Sequence, residues 1–315
     1  MTNDSIKDII IIGAGPSALT AAVYTTREDI DTTLYEKAAV GGLAAITDMI
    51  DNYPGFPDGI EGMKLASQLE DQAKRFGAKI EYGEVSALRV EDDDIKVLTV
   101  DGEDVKARAV LIATGSDYGK IGVPGEAEYY ARGVHYCATC DGAFYRDRPI
   151  AVVGGGNSAV QESMFLTRFA SHIDLLVRSE IKASDVLQHE LQKYVDDGKI
   201  TVHLNTTTEE IVGQDGKIKL VKVIENGTPA EIAVDGVFVF VGLKPNTKFL
   251  DGSGVELDER GLIKTDAKLN TNLPGVFACG DVRSGATMQI ASAVGEGASV
   301  ALSMREYLEA QHANI

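Results

Sequence analysis

The segment Ile9–Ala18, which reads IIIIGAGPSA, decides the fold of this chain. Its run of isoleucines is typical of a strand buried on both faces of a parallel sheet. Its glycines permit a tight turn, and the apolar periodicity of Leu19–Arg27 predicts a helix whose N-terminus can approach a pyrophosphate. A second strand, Thr32–Tyr35, leads into Glu36, about 20 residues past the turn, where a carboxylate can bind a ribose. These features predict a dinucleotide site; the alternative is a glycine-rich turn with a surface glutamate.

The same pattern recurs between Ile150 and Val177. An apolar strand is followed by the glycine-rich turn Gly154–Ala159 (GGGNSA), a predicted helix over Val160–Ala170 and a second strand. Val177 stands where the first copy has its acid, and Arg178 comes next. A missing acid beside an arginine favours a 2′-phosphate, and so NADPH over NADH, although one arginine is often only a solvated charge.

The other patterns place the second copy inside the first domain. The predicted fold class is α/β, with two Rossmann-like three-layer nucleotide-binding domains, the second inserted into the first. The first domain covers 1–117 and 246–315, and the insertion covers 118–245, with connections near Ser116–Lys120 and Gly242–Asn246. Further strands are predicted at Ala109–Gly115, Ile200–Leu204, Lys217–Glu225, Glu231–Val234, Val237–Val241 and Gly275–Asp281, hairpin turns at Asp215-Gly216 and Asn226-Gly227, and helices over Glu61–Phe76 and from about Gln289.

Composition excludes several functions. The 315 residues carry a formal net charge of -18, which disfavours binding to nucleic acid or to an anionic membrane surface. No apolar run approaches the roughly 18 residues of a spanning helix, and the N-terminus has no signal-peptide pattern. Three cysteines do not make a disulfide framework in a chain of this length, so we expect a cytoplasmic protein in which a close cysteine pair is catalytic or metal-binding.

The stretch Val134–Phe144 (VHYCATCDGAF) holds such a pair, Cys137 and Cys140. A zinc site needs about four ligands, and only His135 is close in sequence. A purely structural disulfide is unusual in a reducing compartment. A C-x-x-C pair is well suited to thiol–disulfide exchange, in which Asp141 has the chemistry to protonate or deprotonate a departing thiol, although an acid here is also common in turns. His135 either assists or packs.

These residues make the chain recognisable. The segments Cys137–Gly142 (CATCDG), Phe144–Arg146 and Val153–Ala159 (VGGGNSA) resemble the low-molecular-weight thioredoxin reductases. The resemblance spans the whole chain in the family's order, and CATCDG is far more specific than either glycine turn. Shorter matches occur at Gly13–Pro16, Gly41-Gly42, Asn52–Gly55, Ala113–Gly115 and Gly280-Asp281.

The resemblance implies a homodimer with a split FAD domain and an inserted pyridine-nucleotide domain. Cys140 would face the flavin, Cys137 would attack the thioredoxin disulfide, and Asp141 would be the general acid. The inserted domain would swing between a pose for flavin reduction and one for thioredoxin.

The resemblance also implies the residues of two cofactor sites. The FAD site would be formed by Gly13, Gly15, Pro16, Ser17, Glu36, Lys37, Gly41, Gly42, Leu43, Asn52, Val85, Ala113, Thr114, Gly115, Gly280, Asp281, Gln289 and Ile290. The NAD(P)H site would be formed by Gly154, Gly156, Asn157, Ser158, Ala159 and Arg178.

The chain departs from the family near the nicotinamide nucleotide. Members that use NADPH carry His-Arg-Arg-x-x-x-Arg, and of the matching positions here, Val177, Arg178, Ser179 and Ala183, only Arg178 agrees. One arginine does not replace a bidentate clamp on a 2′-phosphate. Near the cofactors, the usual Arg-Gln is Met288-Gln289 and Gly-Gly-Gln is Gly41-Gly42-Leu43. The electron donor is therefore NADPH, NADH or a non-nicotinamide donor such as ferredoxin.

Two other functions stay open. A reductase of another redoxin or of a peroxidase would use the same cysteine pair. A non-catalytic nucleotide-binding protein with a structural metal would use neither cysteine for redox chemistry.

Overall fold

The computed structural model describes residues 6–47, 49–50, 52–92 and 95–313. The chain divides into two compact units. We call them the split unit, which comprises Met1–Asp117 and Lys244–Ile315, and the inserted unit, which comprises Tyr118–Leu243.

The first segment of the split unit alternates strands with helices and then forms an antiparallel meander. Its elements are β1 (Lys7–Ile12), α1 (Pro16–Thr26), β2 (Thr32–Glu36), α2 (Gly42–Ala45), β3 (Met49–Ile50), β4 (Ile60–Glu61), α3 (Gly62–Arg75), β5 (Lys79–Tyr82), β6 (Val85–Asp92), β7 (Ile95–Val100), β8 (Glu103–Ile112) and β9 (Ser116–Tyr118).

The inserted unit repeats this plan after a short helical segment that carries the cysteines. Its elements are β10 (Val134–His135), α4 (Ala138–Asp141), a 3-10 helix (Gly142–Tyr145), β11 (Pro149–Val153), α5 (Asn157–Leu166), β12 (His172–Leu176), α6 (Asp185–Asp196), β13 (Ile200–His203), β14 (Thr206–Gln214), β15 (Lys217–Glu225), β16 (Thr228–Ala233) and β17 (Gly236–Val239).

The chain returns to the split unit through β18 (Leu243–Pro245), which pairs with β9. The returning segment adds one strand and the long C-terminal helix. Its elements are a 3-10 helix (Lys248–Leu250), β19 (Val276–Ala278) and α7 (Ile290–Ala313).

The split unit is built around a seven-stranded sheet in the order β5-β2-β1-β8-β7-β6, with β19 also paired to β8. The strands β5, β2, β1, β8 and β19 are parallel, whereas β6, β7 and β8 form the meander. Ile9 and Ile11 face the core beneath α1 and α7, and Ile10 and Ile12 face the core beneath the meander. A strand with a core on each face needs apolar residues at every position, which explains the isoleucine run.

The inserted unit has an all-parallel sheet in the order β10-β17-β11-β12-β13 and a separate meander, β14-β15-β16. Its central strand β11 again divides its residues between two cores, with Ile150 and Val152 in one and Ala151 and Val153 in the other. The strand orders of the two parallel sheets correspond one to one. The predicted fold class is therefore confirmed, with one Rossmann-like domain inserted into another.

Several predicted elements differ in detail from the structure. The helix predicted over Val160–Ala170 is α5, which starts earlier because it begins directly at the glycine turn and ends before Thr167. The strand β14 was absent from the sequence prediction because its residues, TTTEEIVGQ, are mostly polar and its pairing with β15 is interrupted by two register shifts. Both predicted hairpin turns are confirmed, with positive φ at Asp215-Gly216 and at Asn226-Gly227.

Candidate functional site

The turn between β1 and α1 forms the first candidate site in the split unit. Gly13 has φ +100°, and a Cβ there would lie 2.6 Å from the carbonyl oxygen of Ala113. Gly15 caps α1 with nothing within 4 Å of its Cβ position, and Pro16 begins the helix. The N-terminus of α1 is therefore open to an anion such as a pyrophosphate, which its free N–H groups and the helix dipole favour.

Glu36 ends β2 beside this turn. Its Oε2 accepts a hydrogen bond from the N–H of Ala14 at 2.9 Å, and its Oε1 accepts one from the N–H of Ala38 at 2.8 Å. The N–H of Gly13 donates to the carbonyl oxygen of Tyr35 at 2.8 Å, so the end of β2 is fixed against the turn. A carboxylate has about four acceptor positions, so Glu36 can also accept hydrogen bonds from ribose hydroxyls.

A second glycine turn lies against the first. Gly41 and Gly42 have φ +100° and +55°, and they lead into α2, where Leu43 is partly buried. The N–H of Gly41 donates to the carbonyl oxygen of Ala14 at 2.8 Å. A Cβ at Gly41 would overlap the side chain of Ala66, so only glycine fits this close approach.

The segment that follows β19 contributes the carboxyl of Asp281. Gly280 has φ +74°, and a Cβ there would lie 2.7 Å from Oγ of Ser17. Burial raises the pKa of Asp281 to about 6, and the negative charge of Glu296 acts in the same direction. A buried carboxyl has lost much of its hydration, so hydrogen bonds from hydroxyl groups, such as those of a ribityl chain, stabilise it.

The remaining residues predicted for FAD lie in the same unit. The side-chain amide of Asn52 donates to Oε1 of Gln289 at 3.1 Å, next to Ile290, where α7 begins. The other predicted residues lie at the ends of strands. Lys37 follows β2, Val85 begins β6, and β8 is followed by Ala113, Thr114 and Gly115. The open helix N-terminus, Glu36 and Asp281 fit the pyrophosphate, ribose and ribityl groups of an FAD.

The inserted unit contains a cleft of about 780 Å³ at its own glycine turn. Gly154 has φ +146°, and a Cβ there would overlap the carbonyl oxygen of Phe240, whereas the Cβ position of Gly156 has nothing within 4 Å. Three cationic residues, Lys120, Arg178 and Lys182, and one acid, Glu180, line the cleft. The cleft therefore suits an anionic ligand at the N-terminus of α5.

The other residues predicted for this nucleotide divide into two groups. Asn157 and Ser158 line the cleft, and Oδ1 of Asn157 accepts a hydrogen bond from the N–H of Ser184 at 2.9 Å. Ala159, by contrast, is fully buried and packs close beneath Gly154. Its small size thus permits the turn.

Val177 occupies the position that Glu36 has in the split unit. The N–H of Gly154 donates to the carbonyl oxygen of Leu176 at 3.0 Å, as that of Gly13 does to Tyr35, so the registers match. The buried side chain of Val177 packs against Gly155, whose Cβ would lie 2.7 Å from Cγ1. No ribose acceptor is present at this position, and the exposed Arg178 follows.

Cys137 and Cys140 form a disulfide across one turn of chain, with a Cα–Cα distance of 5.3 Å. Cys137 caps α4, and its Sγ accepts a hydrogen bond from the N–H of Cys140 at 3.2 Å. Both cysteines are partly exposed, which allows access to a disulfide substrate. The third cysteine, Cys279, is buried and free, and burial raises its pKa to about 12.

Asp141 belongs to a group of neighbouring polar side chains that the sequence did not reveal. Its Oδ2 lies 3.2 Å from Nδ1 of His135, and Nε2 of His135 lies 2.7 Å from the hydroxyl of Tyr145. Tyr145 is a buried core residue, and its hydroxyl has this polar partner. Periodicity alone could not place His135 and Tyr145 side by side, because they belong to different elements.

Within 6–47, 49–50, 52–92 and 95–313, no group of three or more His, Cys, Asp or Glu side chains is arranged to hold a metal ion. None of the helices in those ranges has the length and apolarity needed to cross a bilayer.

The glycine turn between β1 and α1, which fits an FAD, and a C-x-x-C disulfide in the same chain define a disulfide oxidoreductase. Comparison with known proteins agrees. Residues 7–297 match the model of the family described as pyridine nucleotide-disulphide oxidoreductase. A thioredoxin reductase of Listeria innocua is 42% identical, covering 98% of this chain and 96% of its own, and one of Bacillus subtilis is 40% identical, covering 98% and 97%. The structure of thioredoxin reductase from Streptococcus pyogenes has a TM-score of 0.91 at 38% identity, covering 98% and 100%.

The chain therefore belongs to the pyridine nucleotide-disulphide oxidoreductase family, among the low-molecular-weight thioredoxin reductases. It is an oxidoreductase whose cofactor is FAD.

Proposed function

We propose that this chain reduces thioredoxin, passing electrons through FAD to the Cys137–Cys140 disulfide and then to the thioredoxin disulfide. The partly exposed disulfide with Asp141 beside it carries this proposal. The names of the relatives from Listeria and Bacillus support thioredoxin over another redoxin or a peroxidase.

When bound, FAD in its reduced form would supply the two electrons that open the Cys137–Cys140 disulfide. The Cys137 thiolate then attacks a sulfur of the substrate disulfide, so that one substrate sulfur leaves and a mixed disulfide forms. Asp141 takes the proton of Cys140 and passes it to the leaving sulfur. Cys140 next attacks Sγ of Cys137, which restores the internal disulfide and releases the second substrate sulfur as a thiolate; this thiolate takes a proton from solvent, so that the substrate leaves as a dithiol.

The cleft of the inserted unit supports a pyridine nucleotide as the donor. Its open glycine turn suits a pyrophosphate, and its three cationic residues suit a dinucleotide. Because neither a carboxylate at Val177 nor an arginine clamp is present, we expect NADPH and NADH to react within about tenfold of each other. Ferredoxin is the competing donor.

The test is anaerobic rapid mixing of the oxidised holoenzyme with NADPH, NADH or reduced ferredoxin, followed by oxidised thioredoxin. We expect either nucleotide to bleach the flavin and thioredoxin to restore its colour. Cys140→Ser should bleach normally but lose at least about a thousandfold in thioredoxin reduction. Bleaching by ferredoxin alone would contradict the nucleotide donor, and wild-type turnover by Cys140→Ser would contradict the cysteine roles.

A homodimer in the cytoplasm completes the proposal. The family resemblance supports the dimer, and the use of the cysteines as a redox pair supports a reducing compartment. Sedimentation of the holoenzyme would measure the oligomeric state.

A further inference from the structure

We propose that His135 is a positioning residue for Asp141, held in its working tautomer by Tyr145. Nδ1 of His135 lies 3.2 Å from Oδ2 of Asp141, and Nε2 lies 2.7 Å from the hydroxyl of Tyr145. The inference rests on the proposed function, in which Asp141 transfers the proton. It adds His135 and Tyr145, which act through Asp141 and not on the reacting sulfurs.

The proton positions that let these contacts act together follow from the chemistry of the groups. A carboxylate can only accept, so an interaction of Asp141 with His135 requires the proton on Nδ1. In a neutral imidazole, Nε2 then accepts, and Tyr145 donates its O–H to it. Burial raises the pKa of Tyr145, which keeps this phenol protonated as a donor. Tyr145 thereby selects the tautomer that presents an N–H to Asp141.

Packing keeps the imidazole from turning away. The side chain of His135 is 6% exposed, and its ring lies 5.2 Å from that of Phe238 and 5.3 Å from that of Tyr145. Three separate elements supply these groups: β10, the 3-10 helix and β17. A carboxylate on a short surface helix has several rotamers, and a fixed donor behind it restricts them to one.

Other charged and titratable groups surround these three side chains. Burial raises the pKa of Tyr130, and the negative charge of Asp141 acts in the same direction. Arg148 and Asp235 act on Tyr145 with opposite signs. Removal of His135 takes away the ring nitrogen that lies 3.2 Å from Oδ2 of Asp141.

The experiment exploits the dependence of thiol–disulfide exchange on its leaving group. An aromatic thiolate leaves without a proton, whereas an aliphatic thiolate needs an acid. The holoenzyme is reduced anaerobically with stoichiometric dithionite and mixed with hydroxyethyl disulfide, with dithiobis(nitrobenzoate) or with oxidised thioredoxin. His135→Leu should slow reaction with the aliphatic disulfide and with thioredoxin about tenfold, and with the aromatic disulfide less than about twofold.

Three further variants separate positioning from packing. His135→Asn keeps an N–H near the Nδ1 position and should stay within about threefold of wild type. In the double variant His135→Leu/Tyr145→Phe, the hydroxyl that loses its partner in His135→Leu is removed as well. If His135 acted only through packing, the double variant would recover the rate of disulfide reduction. We expect it to stay as slow as His135→Leu, and His189→Leu, at an exposed position of α6, to match wild type.

Equal slowing with aromatic and aliphatic disulfides, or recovery in the double variant, would overturn the role of His135. The reaction of the reduced enzyme with hydroxyethyl disulfide does not require thioredoxin. A wild-type enzyme that reduces hydroxyethyl disulfide but not thioredoxin would contradict the proposed substrate and leave this test intact.

Discussion

The two units share one plan and differ at single side chains. In each, the central strand enters a glycine turn whose first N–H donates to the end of the neighbouring strand. The next residue of that neighbouring strand is Glu36 in the split unit and Val177 in the inserted unit. The shared backbone thus provides an anion site twice, and one side chain decides whether a ribose acceptor accompanies it.

A second contrast lies at the edge strands β19 and β10. Ala278, the last residue of β19, pairs with Ile112 of β8, whereas His135, the last residue of β10, pairs with Phe238 of β17 and is followed by Tyr136. The following residues are Cys279 and Cys137. Burial raises the pKa of Cys279 to about 12, so it is an inert thiol, whereas the partly exposed Cys137 caps a helix and forms the disulfide. Surroundings, rather than residue type, separate the two sulfurs.

Within this comparison of the two units, the largest expected effect comes from adding one methyl group to either glycine turn. Gly13→Ala should lower the bound FAD at least about tenfold, because the Cβ meets a carbonyl oxygen and φ is positive. Gly154→Ala should retain FAD but lose flavin bleaching by NAD(P)H to a similar extent. Flavin absorbance per protein and anaerobic bleaching measure the two outcomes.

Gly227→Ala is the matched control, since it also has positive φ but its Cβ position has nothing within 4 Å. It should keep both FAD and bleaching. Loss of FAD in Gly154→Ala would mean that the two turns do not serve separate ligands.

Much of this comparison could be predicted from the sequence. Local patterns with a fixed spacing predict the isoleucine run, both glycine turns and the position of Val177. The duplicated fold can therefore be predicted from the sequence. The strand β14 cannot, since its polar residues gain their pairing only from β15. The group of His135, Asp141 and Tyr145 cannot either, because only the tertiary fold brings their side chains together.

A smaller effect is expected from giving the inserted unit the acid of the split unit. Val177→Glu should move the ratio of kcat/KM for NADPH over NADH about tenfold towards NADH, because a carboxylate accepts ribose hydroxyls and repels a 2′-phosphate. Steady-state kinetics with both nucleotides measure the ratio. Val177→Gln is the neutral control for the tight packing against Gly155, and an unchanged ratio in Val177→Glu would show that this position does not contact the ribose.

The smallest effect concerns Asp281, which lies two residues past Cys279, whereas the residue two past Cys137 is Thr139. The usual pKa of its carboxyl is 3.8, and burial raises it to about 6 in the folded protein. The folded state therefore binds more protons than the unfolded state between these values, and stability falls as pH rises through that window. Replacing Asp281 with Asn should raise the unfolding free energy of the flavin-free protein at pH 7 by about 1–2 kcal/mol.

Denaturant unfolding of flavin-free wild type and Asp281→Asn across pH measures this difference. The advantage of the variant should shrink as pH falls through about 6 and vanish near pH 4, where the wild-type carboxyl is protonated in the folded state. With FAD bound, the wild type should be more stable than Asp281→Asn, because the ionised carboxylate accepts hydrogen bonds from hydroxyl groups more strongly than the amide does. An advantage that grows towards low pH would mean that the carboxyl of Asp281 is stabilised in its charged form without the cofactor.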